Sequence, residues 1–84
     1  MEKLLQDVNF GDNLRKLRTA HEFTQMSLVA RLQVLGSGLT RTAYNMIEQG
    51  KRNMYISDLL RLQHIYSVSF DEFYKDLKFE CKKR

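Results

Sequence analysis

The sequence predicts an all-α fold, a compact bundle of five short helices. Apolar residues recur at the i, i+3, i+4, i+7 spacing of one helix face, and no stretch shows the strict alternation of a half-buried strand. Residues that start and stop helices punctuate those stretches: Thr24, Thr40 and Ser69 ahead of them, Gly36 and Gly50 behind. Proline is absent from all 84 residues, so no position carries the ring that would break a helix from inside.

The first helix carries Phe10, Leu14 and Leu17, with Asn9 and Asp12 three residues apart as a cap pair. Leu4, Leu5 and Val8 add a preceding turn. The second helix starts after Thr24, buries Leu28, Leu32 and Leu35, and is broken by Gly36-Ser37-Gly38. The third lies between Thr40 as N-cap and Gly50 as the residue just past its end. The fourth carries Ile56, Leu59, Leu60, Leu62 and Tyr66. The fifth opens with Ser69-Phe70-Asp71-Glu72, an S-x-x-E capping box, and buries Phe70, Phe73, Tyr74 and Leu77. The chain thus divides into an N-terminal extension (1–9), one folded domain (10–77) and a basic tail (78–84) ending in Lys82-Lys83-Arg84.

With 43% hydrophobic residues and 84 in all, one domain with a small core is the expectation. The formal charge of +4 leans towards an anionic partner, though weakly. A single cysteine, Cys81, excludes an internal disulfide framework and any CxxC redox or metal motif. His21 and His64 are far apart in sequence and lack a neighbouring cysteine, so no metal site is expected. His21 is read as a surface residue before the second helix, and His64 as lying on the outer side of the fourth. No stretch has the length of a membrane helix, and Met1-Glu2-Lys3-Leu4-Leu5 lacks a signal peptide's apolar core, so the expected location is cytoplasmic. No nucleophile–base pair, phosphate loop or carboxylate dyad can be assembled, which argues against an enzyme and against a cofactor.

The third helix carries the chemistry. At roughly 100° per residue, Ala43, Tyr44 and Ile47 fall on one side, while Arg41, Thr42, Asn45 and Met46 fall on the other. The second face offers a guanidinium, a hydroxyl, an amide and a thioether. These suit a DNA major groove, where Arg pairs with guanine, Asn with adenine, and Thr or Met touches a thymine methyl. On its own, such a face reads as solvated surface.

A larger pattern changes that weighting. Leu14-Arg15-Lys16-Leu17-Arg18, Phe23-Thr24-Gln25 and Leu28-Val29-Ala30-Arg31-Leu32 occur in order. They are followed by Thr40-Arg41-Thr42-Ala43-Tyr44-Asn45-Met46-Ile47-Glu48-Gln49-Gly50-Lys51-Arg52-Asn53, then Leu59-Leu60-Arg61-Leu62 and Val68-Ser69-Phe70-Asp71-Glu72-Phe73. From Phe10 to Tyr74 the chain resembles the phage repressor/Cro-type, or XRE-like, helix-turn-helix family, which is chiefly bacterial and phage-borne. The resemblance implies a helix-turn-helix DNA-binding domain acting as a small, sequence-specific transcriptional regulator of repressor type, with the third helix in the major groove. It implies base contacts from Arg41, Thr42, Asn45 and Met46. Phosphate contacts would come from Thr24, Gln25, Thr40, Lys51, Arg52 and Asn53. Arg18 and Glu48 would form a buried ion pair tying the first helix to the end of the third.

The chain departs from the family pattern at three places. Gln33-Val34-Leu35-Gly36-Ser37 intervenes before Gly38, so the second helix is expected to gain about a turn. Met54 stands where proline is frequent, and Gln63 where a small buried residue is usual. The expected partners are double-stranded DNA and a second copy of the chain, because one recognition helix reads too few base pairs to find an operator. The aromatic fifth helix offers Phe73, Tyr74, Leu77 and Phe79 for that homodimer, with Leu4 and Leu5 as lesser contributors. The competing reading is a helical protein-interaction module or antitoxin-type partner of the same fold, with weak or no DNA binding and a toxin or co-regulator as its target.

Overall fold

A computed structural model describes residues 3–4 and 10–77, the side chains being described over 10–77. Among the described residues five helices run α1 (Phe10–Ala20), α2 (Gln25–Val34), α3 (Arg41–Glu48), α4 (Ile56–Tyr66) and α5 (Asp71–Tyr74). Two short strands, β1 (Lys3–Leu4) and β2 (Met54–Tyr55), pair antiparallel with Lys3 opposite Tyr55 and Leu4 opposite Met54. The turn expected around Leu4 is therefore a strand, while Leu5 and Val8 lie outside the described residues. Two ladder residues give no periodicity to read, so the pairing left no pattern in the sequence.

Phe10, Leu14 and Leu17 bury the inner face of α1. On its outer face Asp12 pairs with Arg15 and Lys16. Asn9, the expected cap partner of Asp12, lies outside the described residues. α1 also presents Gly11 to the end of α3, where a Cβ would stand 2.4 Å from the carbonyl oxygens of both Ile47 and Glu48. The helices touch there through backbone, which only glycine allows.

Thr24 caps α2 reciprocally: its hydroxyl accepts from the Ser27 amide, and the Ser27 hydroxyl accepts from the Thr24 amide, both at 3.0 Å. Leu28 and Leu32 are buried as expected, but Leu35 is 38% exposed. Helical phase does not reach it, because α2 ends at Val34 and Gly36 turns the chain with φ +96°. Leu39, beyond the turn, is buried instead.

Three contacts pin this longer connection: Gln33 Nε2 donates to the Leu39 carbonyl (3.0 Å), the Leu39 amide donates to Ser37 Oγ (3.1 Å), and Arg61 Nε donates to the Leu35 carbonyl (3.0 Å). Arg61 is itself anchored on buried Asp58 at 2.8 Å.

α3 starts where Thr40 Oγ1 accepts from the Ala43 amide at 3.1 Å. It stops at Gly50, φ +76°, with Gly50 N–H to Ile47 O (3.0 Å) and Lys51 N–H to Met46 O (2.9 Å). This paired closure is a Schellman motif. Met54 then enters the core at the position where proline is frequent in the resembling family.

α4 buries Leu59, Leu62 and Tyr66, whereas Leu60 is 51% exposed and Ile56 is also exposed. Ile56 and Leu60 are four residues apart and share the face turned away from Leu59 and Leu62. Gln63 reaches the Val68 carbonyl at 2.8 Å, securing the chain after Ser67 leaves the helix with φ +53°.

The Ser69–Glu72 capping box does not form. α5 begins at Asp71, Phe70 is its cap without a side-chain bond, and only the Ser69 carbonyl takes part, accepting from the Glu72 amide at 3.1 Å. Of the ring-bearing residues expected to be buried there, only Phe73 is, at 0% exposure; Phe70 and Tyr74 are exposed and Leu77 is half-buried against the core. This one-turn helix is held from outside: Asn13 Nδ2 donates to the carbonyls of Phe73 (2.9 Å) and Lys75 (2.7 Å).

Candidate nucleic-acid interface

The apolar side of α3, Ala43, Tyr44 and Ile47, is buried, which turns the opposite side outward. Arg41 and Thr42 are exposed on that side, and Asn45 and Met46 are half-buried at its edge. Arg41, Thr42 and Asn45 line one shallow recess together with Gln25 from the start of α2. A second hollow adjoins it, lined by Arg18, Phe23, Thr24, Gln25, Met26 and Arg41. The side chains of Arg15, Arg18 and Arg61 are each engaged with a carboxylate, and Arg31 lies 5.8 Å over the Phe23 ring. Arg41 has no such partner among the described residues and projects its five donors outward.

Beneath this face lies a buried polar cluster. Arg18 Nε and Nη2 hold the two carboxylate oxygens of Glu48 at 2.7 and 3.1 Å, and Arg18 Nη1 donates to the Phe23 carbonyl at 3.0 Å. The Glu48 side chain is only 4% exposed. Burial would push its carboxyl up, but the bonds from Arg18 and Gln25, with the Tyr44 hydroxyl close by, outweigh it and hold the group below the usual carboxylate range. The same pair raises Arg18, so both charges are secure at neutral pH. Burial, and behind it the nearby Glu48 charge, pushes the phenols of Tyr44 and Tyr66 well above the ordinary tyrosine range.

Gln25 behaves differently from expectation. Its Nε2 donates to Glu48 Oε1 and to Asn45 Oδ1, both at 3.0 Å. Its two side-chain donors are consumed inside the protein, leaving only an acceptor oxygen, the wrong polarity for a phosphate. At this helix start the anion-facing donors are the backbone amides of Gln25 and Met26. Thr24 and Thr40 are exposed cap residues flanking the face. Lys51 and Arg52 are exposed just past the Schellman closure, with Asn53 half-buried beside them.

Of the four residues assigned to a dimer surface, Phe73, Tyr74 and Leu77 are described and differ in exposure. Phe73 is enclosed by the core and out of reach of a second copy, while Tyr74 is 46% exposed and stacks near Phe10 with ring centroids 6.0 Å apart. Phe79 lies outside the described residues. His21 is exposed, as expected, and its ring stacks on Tyr66 at 4.6 Å. His64 is exposed on α4. Among the described residues no cluster of three His, Cys, Asp or Glu side chains could hold a metal ion, and no helix is long and apolar enough to cross a membrane.

Sequence reasoning missed Gly11, Asn13, Arg61 and the Gln25 bridge. Asn13 had a visible signal, since it shares a face with Phe10 and Leu17 and is a polar residue in an apolar stripe. Gly11 had one too, as a glycine inside a helix where no turn needs it.

Over 74 residues the chain is 31% identical to control protein C.MunI of Mycoplasma sp, an alignment spanning 87% of this chain and 93% of that protein. The chain belongs to the phage repressor/Cro-type, XRE-like helix-turn-helix family. It is also 33% identical over 66 residues to YqaE of Bacillus subtilis strain 168, described as an uncharacterized HTH-type transcriptional regulator. That alignment takes in 79% of this chain and 53% of YqaE, so the chain spans about half of that relative. No family model and no solved structure matches. As an XRE-like protein the chain falls among DNA-binding, helix-turn-helix transcription regulators.

Proposed function

We propose that the protein is a sequence-specific repressor that lays α3 in the major groove of duplex DNA. The observation that carries this reading is the outward face of α3, where Arg41, with no carboxylate partner among the described residues, sits with Thr42 and Asn45 in a recess bordered by the amino end of α2. Arg41, Thr42, Asn45 and Met46 contact bases. The α2 amides with Thr24, and Thr40, Lys51, Arg52 and Asn53, grip the backbone on either side. A control protein and an HTH-type transcriptional regulator among its relatives support a role in transcription, and the protein works in the cytoplasm on duplex DNA. It acts as a homodimer on a pseudo-palindromic site, since a second α3 doubles the information read and sets half-sites about 34–36 Å apart. Tyr74 and Leu77, with Phe79, contribute to that contact.

Fluorescence anisotropy with a random duplex at two salt concentrations tests the reading. Binding that weakens steeply as salt rises is expected. Absence of binding at low salt would instead favour the protein-interaction reading, with a toxin or co-regulator as partner. Sedimentation with and without a selected site tests the dimer, and a monomer on a single half-site in both would refute it.

A further inference from the structure

The Gln25 bridge has a direction, and Glu48 sets it. A carboxylate held by Arg18 can only accept hydrogen bonds, so the Gln25 amide must turn its nitrogen towards Glu48 Oε1. The second hydrogen on that nitrogen then meets Asn45 at 3.0 Å, and Asn45 must offer its oxygen there. The Asn45 Nδ2 group is left without an acceptor among the described residues, at the recess lined by Gln25, Arg41 and Thr42.

We propose that the Arg18–Glu48–Gln25 chain fixes the hydrogen-bond polarity of Asn45, so that Asn45 reads its base by donation alone, favours the acceptor-rich edge of guanine and loses the paired contact to adenine. The inference rests on α3 being the element in the major groove. There guanine presents two acceptors, N7 and O6, and thymine one at O4, whereas adenine presents a single acceptor, N7, beside an amino donor, and cytosine an amino donor alone. A paired asparagine–adenine contact requires the amide oxygen and nitrogen to face the same base edge. In Asn45 the oxygen is turned back to α2, so only the nitrogen end is available. Adenine, the base an exposed asparagine would ordinarily suit, is therefore disfavoured. Gln25 acts as a positioning residue, touching no base itself.

Selection of bound duplexes from a random library, run in parallel for the wild-type chain, Asn45→Ala and Gln25→Met, tests this. Asn45→Ala should flatten one base position and so identify it. At that position the wild type should favour guanine over adenine and cytosine by on the order of tenfold. Gln25→Met keeps the side-chain length but removes the donor, frees the Asn45 amide to rotate, and should admit adenine there while the position read by Arg41 stays unchanged. Three results would overturn the inference while leaving DNA reading intact: adenine preferred by the wild type at the Asn45 position, no position altered by Asn45→Ala, or a Gln25→Met that loses affinity evenly with its base preference unchanged. A wild-type chain that enriches no duplex overturns the DNA reading and this inference with it. The wild-type profile read at the Asn45→Ala position decides the matter even if Gln25→Met does not fold, which circular dichroism will show.

Discussion

Gly11→Ala should cost this protein more than any other single methyl group on α1. The added carbon would stand 2.4 Å from the carbonyl oxygens of Ile47 and Glu48 and 2.8 Å from the Glu48 carbonyl carbon, against an ordinary contact of 3.4 Å or more. About 1 Å must be found between two helix backbones, and no side chain can rotate to supply it. Overpacking costs typically ~1–3 kcal/mol, and a backbone obstacle argues for the upper end. Replacing glycine by alanine inside a helix returns about 1 kcal/mol of propensity, leaving a net loss of about 2 kcal/mol. For a domain of this size that lowers the melting temperature by roughly 8–16 °C. Thermal unfolding followed by far-ultraviolet circular dichroism measures it, with Gly38→Ala as control, because a Cβ at Gly38 meets nothing within 4 Å. The control should melt at or slightly above the wild type. A Gly11→Ala protein that melts with the control would show that the α1–α3 contact is looser than the geometry described.

Arg18→Met should destabilise by about 3 kcal/mol, the low end of the ~3–5 expected for stranding a buried charge, because Gln25 still donates to Glu48. In the wild type the depressed Glu48 carboxyl contributes stability above its ordinary value near 4.5, and that contribution is lost as pH falls through the depressed folded value. In Arg18→Met burial dominates and raises the group, so acid neutralises it early; denaturant midpoints of the two proteins should converge towards low pH, and parallel curves would contradict this. Arg41→Ala should flatten preference at one base position, with a loss of roughly 1–3 kcal/mol on the best site, and an unchanged selected site would refute its docking. Lys51→Ala and Arg52→Ala should weaken all duplexes alike and reduce the salt slope by roughly one unit each. An altered base preference from either would place it off the phosphates.

The parts of the molecule that were legible in the sequence are those decided within a few residues. Thr24 and Thr40 act on amides three residues on, and Gly50 supplies a left-handed backbone where α3 must stop. The opposite faces of α3 follow from helical phase alone. What escaped was decided across the chain. Gln25 meets Asn45 and Glu48 at separations of 20 and 23 residues, and Asn13 holds α5 from 60 residues away. No local pattern encodes such meetings. Ser69 and Glu72 have the right local spacing for a cap and yet make none: with Phe73 buried and its carbonyl held by Asn13, the helix begins one residue later than the motif expects. Leu35 failed for a related reason: an apolar residue at helical spacing is core only while the helix continues and its phase faces inward.

The tethers on the α2–α3 connection bear on how quickly the protein can engage its target. A longer link between the two helices of the motif would ordinarily act as a hinge, with the reading helix sampling many tilts and only a fraction of encounters productive. Here Gln33, Ser37 and Arg61 hold the link at both ends of its glycine turn, so in the proposed docking α3 would reach the groove already oriented. Little ordering entropy is then left to lose on contact. Association should be governed by electrostatic capture and not by a slow conformational step, and chain length inserted at this turn should be tolerated for as long as Arg61 can still clasp it.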